Sequence, residues 1–85
     1  MLLLFFHIQH DGDVVRDLEG TVVPDLNAAR SQALVAAREM WADAIPLERD
    51  LSGHSFVLAD ASGRHHLTVP FIEALPEGLR RRLSA

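Results

Sequence analysis

The chain lacks cysteine, lysine and tyrosine altogether. Without cysteine there is no disulfide staple and no thiolate chemistry, and that count leaves the compartment open. Without lysine, all eight basic residues are arginine, a pattern that fits GC-rich bacterial coding. Twelve acidic residues outnumber them and set a net charge of −4, a poor default for a nucleic-acid binder. No long apolar run exists either. Met1 to Phe6 is apolar but too short to span a bilayer. It has no basic residue before it and no small-residue cleavage site after it, so it fails as a signal peptide. The expectation is a cytoplasmic protein with no membrane partner. The five glycines form no phosphate-cradling loop.

What is present is enough for a core. Eighty-five residues predict one domain, and 48% hydrophobic content with 24% charge argues against disorder. A domain this small buries roughly 60–65% of its unfolded surface, so its stability is modest and an oligomer would help.

The longest segment with a single period runs from Asp25 to Ile45. Leu26, Ala29, Ala33, Ala37, Met40, Trp41 and Ala44 recur at steps of three and four, which is one stripe of an α-helix. Leu34 and Ile45 widen the stripe. Seven alanines favour the helix, Asp25 suits its N-cap, and Pro46 disfavours helix at Ile45. The small residues let the backbone lie close to a sheet. A ligand pocket beside Trp41, in space the alanines leave, is the sharper alternative.

Strand signals flank this helix. Leu2 to Gln9 alternates, with Leu2, Leu4, Phe6 and Ile8 on one side and Leu3, Phe5, His7 and Gln9 on the other. Both sides are apolar near the start, which predicts a central strand. Asp11-Gly12 predicts a tight hairpin. A second strand starts at Val14 to Asp17, bends or bulges at Leu18-Glu19-Gly20, and continues through Thr21-Val22-Val23 to Pro24. After the helix, His54 to Asp60 is a third strand. Asp60-Ala61-Ser62-Gly63 is a turn, and Arg64 to Phe71, closing at Pro70, is a fourth. Beyond Ile72, Leu75, Leu79 and Leu83 space a short tail helix. The expected fold is α+β, in the order β-β-α-β-β. It has a four-stranded, mainly antiparallel sheet of order 2-1-3-4 with one long helix on one face. Residues 1–72 form the domain and residues 73–85 the tail.

These features together resemble a known family. Phe5-Phe6-His7-Ile8, Asp11-Gly12, Asp17-Leu18-Glu19-Gly20 and Pro24-Asp25-Leu26 with Ala28-Ala29-Arg30 and Ala33 are its marks. Leu51-Ser52-Gly53, Asp60, Gly63 and Leu67-Thr68-Val69-Pro70-Phe71 follow. The pattern is similar to a family of short bacterial proteins, common in alphaproteobacteria, known only as a domain of unknown function. Members often begin with a Pro-Arg-Tyr stretch, where this chain has Leu2-Leu3-Leu4. The resemblance implies a fold and no activity, cofactor or catalytic residue.

Candidate chemistry is sparse. His65 and His66 are adjacent on a strand and point to opposite faces, and His7 and His10 are likewise separated. His7 with His66 across the sheet is the remaining metal pair, but structural zinc wants about four ligands. Asp11, Asp13, Asp17 and Glu19 lack the central glycine and closing glutamate of a calcium loop, and read as a solvated turn. Asp50, Ser52 and His54 hold the residue types of a nucleophilic triad without its elbow. No metal, cofactor or catalytic residue is expected, and an enzyme is disfavoured.

Two surfaces remain. A single helix covers only one side of the sheet, so Leu3, Phe5, His7 and Val57 should form an apolar face for a second copy or another protein. Arg80, Arg81 and Arg82 are the only basic cluster and could contact anions. The leading expectation is a non-catalytic interaction or self-associating module. The alternative is an antitoxin-like nucleic-acid-associated regulator using Arg80 to Arg82, by fold-level analogy.

Overall fold

A computed structural model describes the backbone of residues 1–84 and the side chains of residues 1–82. Ala85, the last residue of the expected tail, lies outside the described residues, as does the side chain of Leu83.

The fold is α+β. Strand β1 (Leu2–His10) is followed by β2 (Asp13–Val15), β3 (Thr21–Val23), helix α1 (Leu26–Ala44), β4 (Ser55–Ala59), β5 (His65–Pro70) and helix α2 (Glu77–Ser84). Short 3-10 turns occupy Ile45–Leu47 and Phe71–Ala74. Every strand pairing is antiparallel, in the order β2-β1-β4-β5, with β3 also on β1.

Strands β2 and β3 are the two halves of the second expected strand. Ile8 opposes Val15 and Leu4 opposes Thr21, so three residues of β1 face the five residues of Arg16–Gly20. The two surplus residues form the bulge. Asp17 bridges it. Its carboxylate accepts the Phe6 N–H at 3.0 Å, and its own N–H donates to His7 Nδ1 at 3.0 Å. The β1–β2 turn is Asp11-Gly12 with φ of 48° and 82°, the mirror-image turn that matches strand twist.

Helix α1 begins where Asp25 caps it, accepting the Ala28 N–H at 2.8 Å. Its buried residues are Ala29, Ala33, Ala37, Trp41 and Ala44, a stripe of steps of four and three. Leu26 and Ile45, expected in the stripe, are exposed, because each sits at a helix end beyond the sheet's cover. Pro46 ends the α-helix without ending the turn: the chain tightens into a 3-10 turn, where a missing N–H costs nothing.

The core lies between α1 and one sheet face. Leu4, Val23, Phe56, Leu58 and Val69 pack beneath the alanines, and Phe71, Ala74 and Leu75 close the end. The core therefore runs past Ile72 to Leu75. The Trp41 indole N–H donates to the Phe71 carbonyl at 2.9 Å, pinning the helix to the chain after β5. No helix among the described residues is long and apolar enough to cross a membrane.

Pro70 shows how the outer edge is built. The Phe71 N–H donates to the His54 carbonyl, so that pair is a hydrogen-bonded one. Bonded pairs alternate along an antiparallel ladder, which leaves Ser55–Pro70 non-bonded and aims the Pro70 nitrogen off the edge. Proline sits where a strand donor has no partner to serve.

Candidate functional site

The sheet face turned away from α1 follows from the alternation of each strand. Leu4, Phe56, Leu58 and Val69 are buried under the helix. Their neighbours Leu3, Phe5, His7 and Gln9 of β1, and Ser55, Val57 and Ala59 of β4, therefore point the other way. Val14 and Val22 join them from β2 and β3, and Thr68 and Pro70 from β5. Leu3 is 44% exposed and Val22 56%. Phe5, His7 and Val57 are half-buried. None of these strand positions holds a charged residue, although charge makes up 24% of the chain.

Phe5 and His7 stack with ring planes 9° apart and centroids 6.3 Å apart. Gly20 makes the bulge fit over them. Its φ is +75°, and a Cβ there would lie 3.0 Å from both the Leu3 and Phe5 side chains. Because His7 Nδ1 accepts the Asp17 N–H, the neutral ring carries its proton on Nε2. Among the described residues the buried side-chain polar atoms without a partner are His54 Nδ1 and Arg80 Nε. The His7 Nε2–H is therefore a solvent-accessible donor in the middle of an apolar face.

The carboxylates are occupied by turns. Burial pushes the Asp17 carboxyl up, but the N–H groups of Phe6, Glu19 and Gly20 and the nearby His7 outweigh it, holding it below the usual range. The Ser62 hydroxyl first, then His66, hold Asp60 well below the usual carboxylate range. Asp50 accepts the Ser52 N–H at 2.8 Å. His7 and His66, the cross-sheet metal pair of the sequence, thus have separate partners, Asp17 and Asp60.

His54 lies between two rings. It stacks on His10 with centroids 4.0 Å apart and planes 13° apart, and its other neighbour is Phe71 at 5.5 Å. Phe71 meets Phe56 at 4.8 Å, and Phe56 meets Phe6 edge-on at 6.2 Å. The sequence hid this row because its members come from β1, the loop before β4, β4 itself and the turn after β5. No local period links positions that far apart.

Arg80 and Arg81 share a surface with Ile72 and Glu77, and Arg82 lies apart from them beside Trp41. Consecutive residues of a helix stand about 100° apart. Arg81 pairs with Glu77 at 2.9 Å, Arg80 is half-buried with Ile72 and Glu77 beside it, and Arg82 turns toward Trp41. Beside Trp41 a cleft of about 420 Å³ is walled by Ile45, Leu75 and Leu79. A second of about 500 Å³ shares those residues. Arg38, Arg49 and Arg82 on the rims are matched by Glu48, Asp50 and Glu73, so the clefts have no net charge preference.

A search of the curated proteins found no match, and neither did a search of the solved structures. The model of one protein family matches residues 3–72, from the first residues of β1 into the turn after β5. With that span covering most of the chain and every strand of the sheet, the chain belongs to the family described as Domain of unknown function (DUF6894).

Proposed function

We propose that this chain is a non-catalytic docking module whose working surface is the sheet face opposite α1, and that the occupant is a second copy. The observation that carries the reading is the composition of that face. Leu3, Phe5, Val14, Val22 and Val57 lie together with no carboxylate or guanidinium among the strand positions. A sheet face that meets only water is normally polar. Two chains of net charge −4 repel over most of their surfaces, and an uncharged face is where they can approach. A two-fold axis brings the same patch against itself, as an isologous pair requires.

The size of the face sets the strength. Four rows of strand span about 15 Å across and roughly 17 Å along, the scale of a reversible interface. The His7 Nε2–H supplies direction, since an apolar contact alone does not fix register. Catalysis is left out because the low-pKa carboxylates make poor general bases and are engaged by turn N–H groups.

Sedimentation velocity over a range from low to high micromolar concentration tests this. The expected result is a concentration-dependent dimer. The Val22→Glu variant should be monomeric with a nearly unchanged thermal melt at low micromolar concentration, because Val22 is the more exposed of the Leu3–Val22 pair. A strict monomer at high micromolar concentration overturns the reading. So does binding of mixed DNA or RNA at low salt that is lost when Arg80, Arg81 and Arg82 are replaced, which would favour a nucleic-acid regulator.

A further inference from the structure

The loop after α1 meets the β1–β2 hairpin through a ring contact that a proton can break. Its last residue, His54, lies flat against His10 at the tip of the β1–β2 hairpin, 4.0 Å between centroids. The His54 N–H donates to the Leu51 carbonyl, and the His54 carbonyl accepts the Phe71 N–H at 2.9 Å. One imidazole thus joins the loop, the hairpin tip and the turn after β5. Its Nδ1 is buried and has no hydrogen-bond partner. Neutral with its proton on Nε2, that nitrogen is an unpaired acceptor. Protonated, it puts a charge in a buried position where no group meets it at hydrogen-bond geometry.

We propose that the His10–His54 stack is a pH-released latch, holding the loop to the hairpin when neutral and letting it go when protonated. Charge on either ring faces the other ring at stacking distance, and a second proton sets two cations together. The charged and titratable groups facing His54 are His10 from β1, Asp11 from the hairpin turn and Asp50 from the loop. The two carboxylates and the Leu51 carbonyl favour protonation, but burial and then His10 prevail, and His54 is held below its ordinary value. A group whose folded value is lowered binds its proton more weakly in the fold than in the opened chain. The latch is therefore fully closed above pH 6.5, the unperturbed value, and weakens as pH falls below it.

The consequence reaches beyond the two rings. Glu48, Arg49 and Asp50 of the same loop form one wall of the cleft beside Trp41. Releasing the loop moves that wall and strips aromatic cover from Phe71, whose carbonyl holds the Trp41 indole. The stack lies at the hairpin end of the sheet and uses no residue of the docking face, so it stands or falls separately from self-association.

Amide hydrogen exchange followed by NMR tests the latch on the full chain. Protection of the His54 and Phe71 amides, corrected for intrinsic exchange, should fall severalfold from about pH 7.5 to about pH 5.5. Amides of the β1–β4 ladder should keep their protection. His54→Phe keeps a flat ring without a proton site, and should abolish the pH dependence. Unchanged protection of the two amides in the unsubstituted protein overturns the proposal without any variant, as does the same loss in His54→Phe.

Discussion

At the scale of single residues, the shape of this sheet depends on side chains that serve the backbone. Asp17 replaces a missing stretch of strand by giving its carboxylate to Phe6, Glu19 and Gly20. Gly20 lets that bulge lie down on Leu3 and Phe5. Gly20→Ala should lower unfolding free energy by about 1–2 kcal/mol, since an L-residue at positive φ is strained and its methyl meets two side chains. Urea denaturation measures this. The Asp-x-Glu-Gly stretch was legible in the sequence as a bend or bulge. Its partner was not, because the Asp17–Phe6 bond links residues on different strands and depends on register. The partner of His54 was hidden for a related reason: the sequence places His54 at a strand start without a triad, and only the fold turns its ring toward His10, forty-four positions away.

At the scale of elements, α1 is a close-contact helix. Its central buried stripe is alanine for three consecutive steps, at Ala29, Ala33 and Ala37, all fully buried. The larger side chains of Leu4, Leu58 and Val69 rise from the sheet to meet it. Putting bulk on the helix side duplicates volume already supplied by the strands. Ala33→Leu should therefore destabilise the fold by about 1–3 kcal/mol through overpacking, even though leucine is a good helix former. A thermal or denaturant melt beside the exposed control Val35→Leu distinguishes packing from propensity. This element was readable from spacing alone, down to the Asp25 cap, because all its signals lie within one or two turns. Helix α2 was half-readable. The Leu75 and Leu79 step located it, but the run Arg80-Arg81-Arg82 did not show that Arg80 and Arg81 share one surface while Arg82 lies beside Trp41.

At the scale of the whole molecule, folded carboxylates set the acid limit. Asp17 and Asp60 both lie below their ordinary value of 3.8. Lowered carboxylates contribute stability that is complete above the unfolded value and is lost as pH falls through the folded one. Melting temperature should therefore drop as pH falls below 3.8. The Asp17→Asn/Asp60→Asn variant should melt lower at neutral pH and show a flatter acid fall. Calorimetry from neutral to acid pH checks both. This limit is distinct from the His54 latch, which responds at higher pH and only locally.

The sequence by itself determined which segments become helix, strand and turn, and which residues of each share a side. Those properties follow from periods of 3.6 and 2 and from turn residues, all written within a few positions. Only the tertiary structure decided that Asp17 mends the edge of β1, that His10 meets His54, and that Trp41 holds Phe71. It also decided that the clefts by Trp41 are walled by Ile45, Leu75 and Leu79. These contacts join distant positions through strand register and helix rotation, and no local pattern encodes such distances.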